Sequence, residues 1–133
     1  MLPKFREWDP VRQKIHGKGM SYSVREEFDD SVNFRFDHEE DLDYTTRLNE
    51  TDRNGTPYRN LMMSTGLMDK NGTEIYEGDI ITIIDDDEKD TGFGWNEEVI
   101  FHNGAFMAGD ENLLVNVNFR SVVADNIHEI KFR

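Results

Sequence analysis

Cysteine is absent from this chain of 133 residues, which excludes disulfide frameworks and thiolate metal sites and points to a reducing, intracellular setting. Long apolar runs are also missing. No stretch approaches the roughly 20 apolar residues that a membrane span needs, and the opening Met1 to Trp8 mixes charges with single apolar residues, so no secretion leader is expected. The Asn-x-Thr triplets at Asn49, Asn54 and Asn71 accordingly read as turn chemistry. Positive charge is scarce: 15 bases face 28 acids, a net charge of -13. Such a surface repels phosphate backbones at long range, so direct nucleic-acid binding is not expected. Helix signals are poor as well, and the tolerable candidate is Glu39 to Leu48, where Leu42, Tyr44 and Leu48 fit the helical period loosely.

What remains is a strand-rich pattern. The length suits one domain, and 36% hydrophobic residues supply a core beside a polar surface reflected in a mean hydropathy of -0.75. Acids gather between Glu26 and Asp43 and again between Asp85 and Asp90, as solvated segments do. Within the first, Val32-Asn33-Phe34-Arg35-Phe36 alternates as a half-buried strand. Asn-Gly pairs at Asn54-Gly55, Asn71-Gly72 and Asn103-Gly104 each predict a two-residue hairpin, since both central residues of a type I′ turn need positive φ. The implied registers set Leu48 opposite Leu61, Met68 opposite Ile75, Leu67 opposite Tyr76, Phe101 opposite Phe106 and Val99 opposite Ala108. Gly78, which would allow a bulge or sharp bend, precedes a β-branched run from Ile80 to Ile84 that reads as a strand covered on both faces or as the central strand of a tightly curved sheet. Leu114 to Phe119 and Ile127 to Phe132 read as further strands.

Chemistry is hard to place on this pattern. Glu50 to Gly55 begins like a calcium loop, but its twelfth position is Leu61 where a bidentate glutamate is required. Asp85-Asp86-Asp87-Glu88 reads as a solvated loop. His16, His38, His102 and His128 lie far apart with no zinc spacing. No serine has a nucleophile-elbow context, and Gly17-Lys18-Gly19 and Gly92-Phe93-Gly94 are isolated fragments that cradle no phosphate. Paired carboxylates for acid catalysis need a cleft that separates their pKa values, and nothing singles out any two. No catalytic residue, cofactor or metal ligand is therefore assigned. Most aromatics fall at alternating strand positions where a core explains them. Trp95, between Gly94 and Asn96, is a candidate partner contact or a cap on the core; Trp8 is a candidate for the core or for a contact between subunits.

The stretch Leu61-Met62-Met63-Ser64-Thr65-Gly66-Leu67-Met68-Asp69-Lys70-Asn71-Gly72-Thr73-Glu74-Ile75-Tyr76-Glu77-Gly78-Asp79-Ile80 resembles the hallmark of the YopX family of bacteriophage and prophage proteins. Lys4-Phe5-Arg6-Glu7-Trp8-Asp9 resembles the N-terminal strand of that family, and Asn126-Ile127-His128-Glu129 its C-terminal motif. Asp125 and His128 depart from the pattern, which usually has glycine and tyrosine there. The resemblance implies a phage-encoded, mostly β domain of uncharacterised biochemistry and assigns no catalytic residues.

The expected fold is mainly β: a small SH3-like barrel or a strongly bent antiparallel sheet with additional N-terminal strands. A single domain over 1–133 is expected, with N-terminal strands and an acidic loop in 1–64 and a barrel-like core in 65–133. The expected function is that of a phage or prophage accessory protein in the bacterial cytoplasm, acting by protein binding and self-assembly. A homo-oligomer with a host or phage protein partner is anticipated, without membrane or direct nucleic-acid contact. An acidic mimic of nucleic acid and a small hydrolase are the alternatives.

Overall fold

A computed structural model of the chain describes residues 4–28, 31–36, 60–84 and 94–132. It is mainly β, with antiparallel pairing throughout the described strands. Backbone proximity divides the chain into two compact units, Leu2–Met63 and Ser64–Arg133. The mainly β, antiparallel expectation holds, and the described strands form open sheets and no closed barrel. The expected Asn54-Gly55 hairpin and the expected helix over Glu39 to Leu48 fall on residues outside the described ones.

In the first unit, β1 (Phe5–Trp8) is flanked by β2 (Met20–Phe28) and by the opening residues of β4 (Asn60–Met68), while β3 (Ser31–Phe36) pairs with β2. The alternating segment around Phe34 is thus a strand, as its pattern indicates. Asp9-Pro10 starts helix α1 (Pro10–His16), which the hydrophobic pattern does not announce. The Asp9 Oδ1 accepts from the Val11 and Arg12 N–H groups at 2.9 and 3.2 Å, Pro10 occupies the first turn, and Gly17 closes the helix at φ 74°. An acceptor at the N-cap, proline just inside and glycine just past the end are the start and stop chemistry of a short helix. Trp8, Met20 and Met62 form the apolar core. Beside them the Arg12 Nη1 donates to the Glu7 Oε1 at 3.0 Å in an ion pair closed to solvent. The Arg12 Nη2 and Nε donate to the Gly19 and Lys18 carbonyls at 2.7 and 3.3 Å.

In the second unit, the remainder of β4 pairs with β5 (Glu74–Tyr76). A separate sheet has the order β10-β6-β7-β8-β9. Its strands are β6 (Asp79–Ile84), β7 (Gly94–His102), β8 (Ala105–Ala108), β9 (Asn112–Leu113) and β10 (Ser121–Asn126). The β-branched run is indeed a central strand, between β10 and β7. Its Ile81 and Ile83 enter a core with Ile75, Val99, Ala108, Leu114 and Val117. The Asn103-Gly104 hairpin has the expected form: φ is 51° and 81°, Phe101 lies opposite Phe106 and Val99 opposite Ala108. The two phenylalanine rings meet edge-on at 5.1 Å.

Three expectations for this unit are corrected. Asn71-Gly72 does not close a two-residue turn: Met68 lies opposite Glu74, and Tyr76 opposite Ser64. The Asp69 carboxylate opens the loop to Asp69–Thr73, because its Oδ1 accepts from both the Asn71 and Thr73 N–H groups at 2.9 Å, an Asx turn that outcompetes the tighter hairpin. Leu114 to Phe119 is two 3-10 turns, Leu114–Asn116 and Asn118–Arg120, not a strand. Three-residue spacing aligns the side chains at 114 and 117 on one face, and Leu114 and Val117 are the ones buried. Ile127 to Phe132 is helix α2 (Ile127–Phe132), not a closing strand; the Asn126 Oδ1 accepts from the Glu129 N–H at 2.9 Å, a cap that commits the chain to a helical turn.

Candidate binding surface

Four polar side chains of the long central motif, those of Ser64, Thr65, Asp69 and Asp79, bond to backbone. The Thr65 Oγ1 donates to the Ile75 carbonyl at 2.8 Å and accepts from the Leu67 N–H at 3.1 Å. The Ser64 Oγ accepts from the Gly66 N–H, and Gly66 at φ 77° sits in the bulge between Ser64 and Met68. The Asp79 Oδ2 accepts from the Tyr76 N–H at 2.8 Å. Gly78, at φ 86°, donates its N–H to the Val99 carbonyl and accepts from the Ile127 N–H. A motif rich in hydroxyls and carboxylates thus acts as a set of backbone clasps, and the carboxylates of Asp69 and Asp79 are already engaged.

One of these clasps builds a surface. The Asp69 Oδ2 accepts from the Val123 N–H at 2.9 Å, tying the loop to β10. Burial pushes the Asp69 carboxyl up, but the donations from Val123, Thr73 and Asn71 outweigh it and hold the group below its ordinary 3.8. The next residue, Lys70, donates its N–H to the Ser121 carbonyl at 3.0 Å, and the Asn118 Nδ2 donates to the Met68 carbonyl at 2.8 Å. These bonds fix the loop against the end of the second 3-10 turn, which carries Phe119 and Arg120. Lys70, Phe119 and Arg120 line a cavity of about 180 Å³ with Ile84, the last residue of β6.

Trp95, at the start of β7 and opposite Ile83, lies under the Arg120 guanidinium, whose carbon is 5.8 Å from the ring centroid. The indole is 39% exposed and Phe119 is 61% exposed. Stacking a planar guanidinium on an aromatic face restricts its orientation while leaving its outward N–H groups usable. Among the described residues neither Lys70 nor Arg120 forms an ion pair. Two cations thus share one cavity without an ion pair among the described residues. Among the described residues no group of His, Asp and Glu is arranged to hold a metal ion.

The two tryptophans singled out in the sequence separate here. Trp95 belongs to the exposed surface. Trp8 is only 4% exposed and packs in the first core, so it offers no indole face to a partner; of its two expected roles the structure shows the core. The N-terminal bases are also partly consumed, for Arg6 and Arg12 are buried. Sequence reasoning missed Lys70, Phe119 and Arg120 as site residues. Phe119 reads as the end of an alternating strand, and only the folded loop brings position 70 to position 120.

The match to known proteins agrees with this architecture and with the motif that builds the surface. The family model described as YopX protein matches residues 4–131. The chain belongs to the YopX family. A similar fold is found in the crystal structure of protein EF1440 from Enterococcus faecalis, with 25% sequence identity and a TM-score of 0.58, covering 98% of this chain and 96% of that one. No curated protein matches the chain. Membership of the YopX family thus extends across both units.

Proposed function

We propose that this YopX-family chain is a bacteriophage or prophage accessory protein that works in the bacterial cytoplasm by binding another protein and by self-assembly, with the surface of Lys70, Trp95, Phe119 and Arg120 as its contact site. The observation that carries this reading is the conjunction of exposed aromatic rings with cations that have no ion-pair partner among the described residues. Aromatic and arginine side chains concentrate binding energy at protein contacts. The phage setting rests on the family resemblance. Self-assembly is supported by other apolar side chains left in solvent, among them Ile15, Leu61, Phe101 and Val115, and by sheet edges that a second copy can cover. Among the described residues no helix is long and apolar enough to cross a membrane.

Size-exclusion chromatography with light scattering, at low and moderate salt, tests self-assembly. A mass above one chain is expected, and more of it once salt screens the repulsion between subunits; 15.6 kDa at both salts would contradict it. Affinity capture from host lysate tests the partner reading. Trp95→Ala and Phe119→Ser should each lose captured protein that the native chain retains, and equal capture by all forms would remove the contact site.

A further inference from the structure

We propose that the cavity between Lys70 and Arg120 recognises an acidic peptide segment that carries a large apolar side chain; this deepens the binding role above and rests on it. Cavities that take drug-sized ligands hold roughly 300–1,000 Å³, whereas this one holds about 180 Å³. Its size suits one inserted side chain and does not suit a bulky cofactor. Its apolar wall is Ile84 and Phe119, and its rim is cationic at Lys70 and Arg120. An apolar anchor entering the cavity therefore brings flanking residues of its own chain past the ammonium and the guanidinium.

The charge of those flanking residues follows from the two cations on the rim. Neither has a carboxylate partner among the described residues. Arg120 is steadied by the Trp95 ring, and its planar fork matches a carboxylate in two parallel hydrogen bonds. Lys70 is held by its backbone bond to Ser121 and adds a point charge on a flexible stem. Aromatic rings beside cations also describe single-stranded nucleic-acid sites, but those follow the backbone along a continuous positive groove. Here the net charge of -13 opposes a polyanion over its whole length. A short peptide with a few carboxylates meets the local cations and little of that repulsion.

The test is fluorescence titration of the full chain with a synthetic peptide in which one phenylalanine is flanked on both sides by aspartates. Because Trp8 is buried, a change in indole emission on binding reports Trp95. The native chain should bind the peptide, more weakly as salt rises, and replacing its aspartates by asparagines should weaken binding by roughly tenfold or more. Arg120→Gln and Lys70→Gln should each cost about tenfold, with unchanged circular dichroism melting. Phe119→Ser should weaken the phenylalanine peptide and leave a serine-substituted control peptide unaffected. Equal binding of the asparagine peptide, or a single-stranded oligothymidine that binds more tightly than the peptide, would overturn the assignment. If no peptide binds while Trp95→Ala still abolishes capture from lysate, the ligand class falls and the contact site stands. If both experiments fail, both readings fall.

Discussion

The two units solve the problem of a polar interior in different ways. In the first, a small apolar core of Trp8, Met20 and Met62 stands beside a full ion pair, Glu7 with Arg12, enclosed by α1 and the Lys18–Gly19 backbone. In the second, aliphatic side chains from β5, β6, β7 and the first 3-10 turn make the core. The buried carboxylate of Asp69 is met there by backbone N–H groups. A charge satisfied by another charge fails when either partner is removed, because the survivor is stranded. A charge satisfied by backbone fails only when it is itself lost. In the same unit Lys70 and Arg120, without an ion pair among the described residues, line their cavity with Phe119, beside Trp95.

The largest effect should come from breaking the ion pair. Arg12→Ala removes the cation of the buried ion pair with Glu7 and withdraws donors from the Lys18 and Gly19 carbonyls, so denaturant unfolding should show a loss of about 3–5 kcal/mol. Hydrogen exchange should place the loss in β1 and β2. Glu7→Leu combined with Arg12→Leu should recover part of that loss and not all of it, because the two carbonyls still lack their donors.

An intermediate effect is expected from Asp69→Asn. The amide keeps one acceptor oxygen, so at least one of the three N–H donors faces an NH2 group, at a cost of about 1–3 kcal/mol. The folded pKa of Asp69 is held below the ordinary 3.8. Its contribution is therefore fully present above that value and is lost as pH falls through the lowered folded value. The stability difference between the native chain and Asp69→Asn should be constant near neutrality and shrink on acidification below about pH 4. A difference that grows towards low pH would reverse the sign and refute the assignment.

The smallest effect should be Ile81→Val in the second core. Removing one methylene from a buried isoleucine costs about 0.5–1.5 kcal/mol. Denaturant unfolding that shows a larger loss than Arg12→Ala would mean that the apolar core, and not the ion pair, is the more brittle of the two.

The legible parts of the fold were those where one local signal decides the conformation. Asn103-Gly104 sets its hairpin and register because both residues take positive φ and nothing nearby competes. Asn71-Gly72 carries the same dipeptide but follows Asp69, whose side chain captures two N–H groups and widens the loop. Helix α1 was missed: Asp9, Pro10 and Gly17 mark its ends, but so short a helix leaves only a brief trace of the helical period. Helix α2 announces itself through Asn126 and Glu129, an N-cap and third-position pair masked by the apolar alternation of Ile130 and Phe132. The proposed binding surface was half legible. Trp95 stood out as an aromatic among small and polar neighbours, while Lys70 and Arg120 meet only because the Asp69 loop bonds to Val123 and Ser121.

The placement of the proposed binding surface in the second unit is tested most directly by a peptide-induced thermal shift. The native chain, a variant of the exposed first-unit lysines (Lys14→Gln with Lys18→Gln) and Arg120→Gln would be melted with and without the aspartate-flanked phenylalanine peptide. A stabilising shift is expected that survives in the lysine variant and disappears in Arg120→Gln. A shift lost in the lysine variant and kept in Arg120→Gln would contradict it and move the binding surface to the first unit.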